Sequence, residues 1–351
     1  MSIFCVNLCN LWLILCFLAG WILGYVARCK STILVLPAFK YWQMKAFLLL
    51  IIVFSTHCAR AQLTYQNLEV QYDSAIEYRN LKIIPITKKS AGGSPVSSFL
   101  TLGKAMQQGI VTVSERGTAS TENVHWLRIN NKSNIPLFIG SGEVVLGGRQ
   151  DRMVTNDTVL VPTGRDQYVS VMCVEEGRWS DKEKKFSYFN YANMRLRKVV
   201  DQSHNQVLIW KEIFNQLDSG QIKSPTFTYA GIRKDKKLLT LQEDYMRTFI
   251  ERLKKTDSAW VGFVCVSGDK VIGCDVFDGS ALLYDQLTSL LQGYVDDVIL
   301  KGSPPKASNE KVKKYMDPIL INEESQAKHL KLNGKIYRYR NKVIHITGFS
   351  E

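Results

Sequence analysis

The first 61 residues of this 351-residue chain contain no aspartate and no glutamate. The same stretch holds five basic residues, five of the eight cysteines and two strongly apolar runs, at residues 11–27 and 46–54. The remaining 290 residues carry 40 Lys and Arg against 32 Asp and Glu, a net charge of +8. Composition therefore separates a short, acid-free leader from a chain long enough to form one large domain or two modest ones, with a proper core.

The second apolar run predicts a secretory signal peptide over residues 44–61. A basic start at Met44 and Lys45 precedes the nine apolar residues 46–54, and a small-x-small cleavage site follows before Gln62. Nine apolar residues are too few to span a bilayer, which needs about 20. We therefore expect translation to start at Met44, and we expect the mature protein to be exported to the periplasm or the extracellular space.

An alternative interpretation concerns the first apolar run. In the interpretation above, residues 1–43 are an upstream extension of the reading frame. In the alternative, residues 11–27 are a genuine membrane anchor, and Arg28 and Lys30 are its flanking charges. Only in that second case is a membrane a partner of the mature protein.

Few histidines and cysteines remain after residue 61. The four histidines (His125, His204, His329 and His345) are far apart in the sequence, which predicts no zinc site and gives no sign of another metal. The three cysteines are Cys173, Cys265 and Cys274. An odd number cannot all pair, so we expect buried free thiols and no disulfide scaffold. A two-residue turn at Gly268-Asp269 would place Cys265 opposite Ile272 and Cys274 opposite Phe263.

Familiar catalytic and binding signatures are also missing. The sequence contains no GxGxxG, HExxH, GxSxG or CxxC motif. The glycines that begin at Gly142 imitate a phosphate loop but lack its Lys-Ser/Thr pair. The excess basic residues are spread over several short runs with no aromatic residues between them, so we expect no nucleic-acid partner. Nothing in the sequence identifies a cofactor.

The hydrophobic pattern predicts an α+β fold. Residues 62–180 read as short strands with period-two alternation, interrupted by a helix near 98–108, which is typical of an antiparallel β-sandwich or jelly-roll-like half. This half is expected to pack on an α+β half, residues 181–351, as one cooperative unit. Its predicted helices span 194–216, 280–300 and 311–316, with another that opens at Thr240. Its predicted strands span 260–266 and 270–277, and a closing hairpin is predicted over 335–346.

The stretch SGEVVLGGRQDRMV, residues 141–154, places charged side chains inside a strand-like run. A second stretch, CVEEGRW, continues the predicted strand face of Val171 and Cys173 with a carboxylate at Glu175. A buried carboxylate needs a partner, which Arg152 or Arg178 could supply with two hydrogen bonds. The candidate catalytic residues are Glu143 and Glu175, and the candidate ligand-binding residues are Gln150, Arg152, Arg178 and Trp179. The alternative for the same residues is a Glu–Arg clasp that only fixes one sheet against another.

These two stretches, together with GFVCVSGDKVIGCDVF, resemble the ARG and rhodanese-phosphatase-superfamily-associated protein domain over most of residues 80–345. The family's polar signature falls on the six candidate residues named above. Asp151 and Glu176 depart from its usual pattern, and a negative charge there would weaken the binding of an anionic ligand. The family name records an association with ADP-ribosylglycohydrolases and with rhodanese/phosphatase-type proteins, not a measured activity. The resemblance therefore implies family membership, and an ADP-ribose-like ligand is one hypothesis that it suggests.

Two functions remain open from the sequence. The first is binding or processing of ADP-ribose or another phosphorylated nucleotide through the Glu/Gln/Arg cluster. The second is a non-catalytic exported module that binds a protein or a glycan, with a purely structural polar cluster. A response to nucleotides in solution separates these two hypotheses.

Overall fold

The computed structural model of the protein describes residues 63–89, 98–117, 123–179, 184–253 and 260–350. The predicted signal peptide (44–61) and the alternative anchor (11–27) lie outside the described residues. Within the described ranges, no helix is both long enough and apolar enough to cross a membrane.

The described ranges contain sixteen β-strands and seven α-helices, which confirms the predicted α+β class. In chain order the strands are β1 (Leu68–Val70), β2 (Ile76–Tyr78), β3 (Leu81–Lys88), β4 (Leu100–Thr101), β5 (Val111–Glu115), β6 (Trp126–Asn131), β7 (Leu137–Ile139), β8 (Glu143–Gly148), β9 (Arg152–Val154), β10 (Thr158–Leu160), β11 (Gln167–Cys173), β12 (Lys184–Tyr191), β13 (Trp260–Ser267), β14 (Lys270–Phe277), β15 (Gly334–Tyr339) and β16 (Lys342–Phe349). The helices are α1 (Leu102–Gln107), α2 (Met194–Ser203), α3 (Gln206–Ser219), α4 (Lys236–Leu253), α5 (Ser280–Lys301), α6 (Asn309–Leu320) and α7 (Glu323–Asn333).

Three sheets organise these strands. The largest has the order β1-β3-β13-β14-β16-β15, with β2 also paired to β3. A six-stranded sheet has the order β12-β8-β9-β11-β6-β5, and a small sheet has the order β10-β7-β4. Strands from before residue 180 therefore pair with strands from after it, in β3–β13 and in β8–β12. A cut near residue 180 would break both large sheets.

Strand alternation assigns neighbouring residues to different cores. In β13, Phe263 packs with α4 and α5 on one face of the largest sheet, whereas Val264 packs with α6 and α7 on the other. In β8, Val145 faces the small sheet and α1, whereas Val144 faces α2 and α3. The six-stranded and small sheets thus enclose one core between them, in the manner expected of a sandwich-like half. Helix α5 contacts both β12 and β13, so it lies between the two large sheets.

Two predicted helix boundaries differ from the structure because of local capping. The predicted helix 194–216 is broken after α2, where His204 adopts a left-handed conformation with φ of 47°. The side chain of Asn205 then caps α3 by accepting hydrogen bonds from the N–H groups of Val207 and Leu208. Helix α4 begins before the predicted start at Thr240, because Asp235 already accepts a hydrogen bond from the Leu238 N–H at 3.0 Å.

The three cysteines are buried free thiols, as predicted, but the expected register was wrong. The turn at Gly268-Asp269 is present, with Ser267 opposite Lys270. An irregularity between Cys265 and Val266 shifts the pairing beyond it, so that Cys265 lies opposite Gly273 and Cys274 lies opposite Val264. A β-bulge of this kind inserts one residue that the simple two-residue turn cannot anticipate.

Candidate functional site

Arg178 is the cation that pairs with Glu175. Its Nε donates a hydrogen bond to Glu175 Oε2 at 2.9 Å, and its Nη2 lies 2.6 Å from the same oxygen. Nη2 also donates to Asp151 Oδ1 at 3.0 Å. The backbone oxygens of Gly147 and Gly148 accept from Nη2 and Nη1, each at 3.0 Å. All three guanidinium nitrogens therefore donate hydrogen bonds to oxygen atoms of the protein.

The carboxylates of Asp151 and Glu175, beside Arg178, also accept hydrogen bonds from other groups of the protein. Asp151 Oδ2 accepts from the Thr228 hydroxyl at 2.6 Å, and the Asp151 N–H donates to Glu175 Oε2 at 3.1 Å. Burial raises the pKa of Glu175, but hydrogen bonds and the charge of Arg178 outweigh it and lower the pKa overall. This geometry favours the structural clasp for Glu175, Arg178 and Asp151.

The clasp explains one of the glycines in the charged stretch. Gly148 has a φ of 52°, which side-chain-bearing residues rarely adopt. A Cβ at this position would also lie 2.1 Å from the Phe186 ring and 2.3 Å from Glu115 Oε1. Glycine lets the backbone turn so that its carbonyl reaches Arg178.

The other predicted ligand-binding residues have contacts of their own. Arg152 is fully buried, and its Nη2 lies 3.5 Å from Glu115 Oε2. Gln150 Nε2 donates to the backbone oxygen of Glu176 at 3.3 Å. Trp179 leaves 48% of its surface exposed. Glu115 is a partner that the sequence does not reveal, because it lies 37 positions before Arg152 and only the pairing of distant strands brings the two together.

Glu143, the first predicted catalytic residue, has a different environment. It is fully buried at the start of β8. The Gly140 N–H donates to its Oε2 at 2.7 Å, and the Tyr188 hydroxyl donates to its Oε1 at 3.0 Å. Because both donors are neutral, desolvation dominates and raises the pKa of Glu143 to about 8. Burial therefore favours the protonated form of Glu143 at neutral pH.

Tyr188 connects Glu143 to a cleft on the surface. The half-buried Tyr188 ring lines a cavity of ≈ 660 Å³ between α1, β12 and α5. The polar side chains that share its lining are Thr101, Lys104, Gln107, Lys185, Ser187, Asp285, Gln286 and Ser289. Lys104 and Asp285 form an ion pair within this lining. Gln286 is only 2% exposed, and its Nε2 has no hydrogen-bond acceptor among the described residues.

A second buried network lies close to Glu143. His345 Nδ1 is 2.8 Å from Asp157 Oδ2, and its Nε2 is 3.1 Å from Asp275 Oδ1. Arg197 donates to both oxygens of Asp275, at 3.0 and 2.8 Å. Burial alone would lower the pKa of His345, but the two carboxylates raise it to about 9. The imidazolium charge in turn lowers the pKa of Glu143 slightly, against the dominant effect of burial.

The sequence carries only a weak signal for this network. His345 and Asp275 both interrupt apolar strands, β16 and β14, where each residue points into the interior. A buried polar residue in an apolar strand requires a partner, but the partners come from Asp157 and Arg197, in other parts of the chain. Within the described residues, no three His, Cys, Asp or Glu side chains are grouped so as to hold a metal ion.

The chain belongs to the family described as the ARG and Rhodanese-Phosphatase-superfamily-associated Protein domain, ARPP-1, which it matches over residues 69–349. The match confirms the resemblance carried by the motifs. Among the residues that carry it, Glu175 and Arg178 form the clasp, whereas Glu143 lies behind the cleft. Neither a curated protein nor a solved structure matches the chain.

Proposed function

We propose that this chain is an exported protein that binds a small phosphorylated ligand of the nucleotide type in the cleft beside Tyr188. Glu143 then takes up or releases a proton as the ligand binds or reacts. One observation carries the proposal: the Tyr188 ring lines the cleft while its hydroxyl donates to a buried carboxyl group whose pKa is about 8. Perturbed carboxyl groups next to a cavity are candidates for acid–base chemistry.

The lining of the cleft supports a phosphorylated ligand. A volume of ≈ 660 Å³ lies within the range of about 300–1,000 Å³ that small-molecule sites occupy. Lys185 supplies positive charge for a phosphate group, and the Lys104–Asp285 ion pair supplies a donor and an acceptor for ribose hydroxyls. The buried Nε2 of Gln286 offers a donor without an acceptor, which a ligand oxygen would satisfy.

Tyr188 couples the protonation of Glu143 to the cleft. When Glu143 is ionised, the Tyr188 hydroxyl donates to it and has no proton left for a ligand. When Glu143 is protonated, it can itself donate to Tyr188, and the tyrosine proton becomes available to an anionic ligand. Binding of an anion therefore favours the protonated form, so affinity should fall as the pH rises above about 8.

Calorimetric titration with ADP-ribose and NAD, followed by a broader nucleotide panel, tests the proposal. We expect binding that weakens in Tyr188→Phe and loses its pH dependence in Glu143→Gln. Tyr168→Phe is the matched control, since this exposed tyrosine on β11 does not line the cleft. If no member of the panel binds, the alternative is favoured: a non-catalytic exported module that recognises a protein or a glycan.

The proposal of export rests on the sequence of residues 44–61. N-terminal sequencing of the protein recovered from the periplasm or the medium should give a chain that starts at Gln62. Recovery of a membrane-bound chain that begins before residue 44 would instead support the anchor at 11–27.

A further inference from the structure

We infer that a second depression, separate from the cleft, binds the phosphate group of a small molecule or inorganic phosphate itself. This basic depression lies at the tip of the β13–β14 hairpin and has a volume of ≈ 420 Å³. Its lining includes three cationic side chains, Arg195, Lys270 and Lys301. The inference is independent of the proposed function, because the described residues that line the two cavities do not overlap.

Arg195 is one of the cationic residues that line the basic depression. This residue lies in the first turn of α2, and its Nε donates to Asp297 Oδ1 at 2.5 Å. Its other two nitrogens, Nη1 and Nη2, are shielded from solvent and meet no acceptor among the described residues. Buried donors without an acceptor are rare in native proteins, and they often mark the place of a bound ion or water molecule. A tetrahedral oxyanion at the inner end of the depression would supply two acceptors with the geometry of the guanidinium fork.

The described charged residues that line the basic depression are three cations and two carboxylates. Of its two acidic residues, Asp297 is occupied by the Met194 N–H at 3.0 Å and by Arg195. Asp269 forms an ion pair with Lys311 at 2.6 Å. Lys270 and Lys301 are exposed and form no ion pair with a described acidic residue. Among the described residues, an excess of positive charge therefore faces the depression without a counter-charge.

The walls of the basic depression hold these charges in place. The Gly268 N–H donates to the Ser303 backbone oxygen at 2.8 Å, and the Ser303 N–H donates to the Ser267 hydroxyl at 3.2 Å. Gly268 has a φ of 57°, and a Cβ there would lie 2.5 Å from the Ser303 hydroxyl oxygen. The loop after α5 is thus fastened to the hairpin tip, which keeps Lys270 and Lys301 on the same rim.

The lining also indicates which part of a ligand is recognised. None of the described residues around the depression is aromatic, so a nucleobase would find no ring to stack on. Hydroxyl and cationic groups predominate, and these recognise an oxyanion by charge and hydrogen bonding. The shared chemistry is a dianionic phosphate, carried either by inorganic phosphate or by a phosphate monoester such as a sugar phosphate.

The test uses the full mature chain and two probes, inorganic phosphate and glucose 6-phosphate, each compared with chloride at equal ionic strength. We expect phosphate to raise the thermal midpoint and to give a saturable calorimetric isotherm. The double variant Lys270→Gln/Lys301→Gln should bind roughly ten-fold more weakly or worse, since each lost charge-assisted contact is a large part of the binding energy. Tighter binding of glucose 6-phosphate than of phosphate would identify a monoester as the ligand.

A matched control keeps this test specific. Lys236→Gln/Lys237→Gln removes the same charge from exposed positions on α4 and should bind phosphate as the wild type does. Arg195→Lys is a further variant, but its loss of pairing with Asp297 can destabilise the fold, so the lysine pair is decisive. The inference would be overturned if phosphate and chloride raised the thermal midpoint equally. It would also be overturned if the two double variants lost phosphate affinity equally. Tyr188→Phe should leave the phosphate response intact, which separates this site from the cleft.

Discussion

Replacing Glu143 by glutamine tests whether a neutral carboxyl group lies behind the cleft. Protonated glutamic acid and glutamine have nearly the same shape, and both carry one oxygen acceptor and one donor group. Glutamine therefore preserves the contacts with Gly140 and Tyr188 in the protonated state. The variant loses only the ability to ionise at this position. Any difference between wild type and Glu143→Gln in how the free energy of unfolding depends on pH is therefore due to the Glu143 carboxyl group.

The direction and size of the effect follow from the pKa of Glu143. Its value rises from 4.5 to about 8 in the folded protein, because burial penalises the charged form. A carboxyl group with a raised pKa stabilises the fold fully in acid, and that stability is lost as the pH rises towards the folded pKa. Each pKa unit corresponds to about 1.4 kcal/mol, so the wild type should lose roughly 3–4 kcal/mol relative to Glu143→Gln between pH 5 and pH 8.

Urea denaturation of both proteins at several pH values between 5 and 8.5 measures this difference. His345 also has a raised pKa, about 9, and its contribution is lost as the pH rises, but it is present in both proteins and cancels to first order. Glu69→Gln on β1 serves as the control, because this glutamate is exposed. Free energies of unfolding that stay parallel across the whole range would refute the assignment of a protonated carboxyl group at Glu143.

Two further predictions concern the clasp and the chain topology. Arg178→Ala should destabilise the fold by about 3–5 kcal/mol in denaturant titration, because it leaves the carboxylates of Glu175 and Asp151 buried without their cation; a loss below about 1 kcal/mol would contradict the structural role. A chain divided near residue 181 should give two pieces that do not fold separately, since β3 pairs with β13 and β8 pairs with β12. Cooperative melting of either isolated piece, measured by circular dichroism, would show that this reasoning is wrong.

Much of the fold could be predicted because local patterns determine it. The alternation in β13 and β14 and the apolar spacing of α5 predict boundaries within a residue or two of those observed. Helix α7 was missed because it is short and mostly polar, with only Gln326 and Leu330 buried. The pairing of β3 with β13 was also missed, because sequence alternation identifies a strand but not its neighbour.

The candidate site could be predicted only in part, because a single sequence does not identify which strands pair. Glu143 and Glu175 were identified because each interrupts an apolar strand face, and the structure buries both. Their partners could not be assigned in the same way. Tyr188 reaches Glu143 across the pairing of β8 with β12, 45 positions away in the chain. A single sequence carries no signal for such a contact, and the cleft that Tyr188 lines was therefore not anticipated.

The contrast between Glu143 and Glu175 indicates which buried carboxyl group is suited to chemistry. Both residues are nearly shielded from solvent, at 0% and 2% exposure, and the Glu143 carboxyl group is the more deeply buried of the two. Glu175 faces the guanidinium of Arg178, which lowers its pKa and keeps it ionised at neutral pH. Glu143 faces two neutral donors, and the cation of the neighbouring network, His345, is itself held by Asp157 and Asp275.

Two consequences follow from these neighbours. Glu175 cannot store a proton near neutral pH without breaking its ion pair, so protonation there would loosen the clasp and the sheet that it holds. Glu143 can change its charge while both of its hydrogen bonds remain possible, because the Tyr188 hydroxyl can either donate or accept. In the proposed function, a proton moves at Glu143 without unfolding the surrounding strands, and Tyr188, which lines the cleft and bonds to Glu143, carries the change to the wall of the cleft.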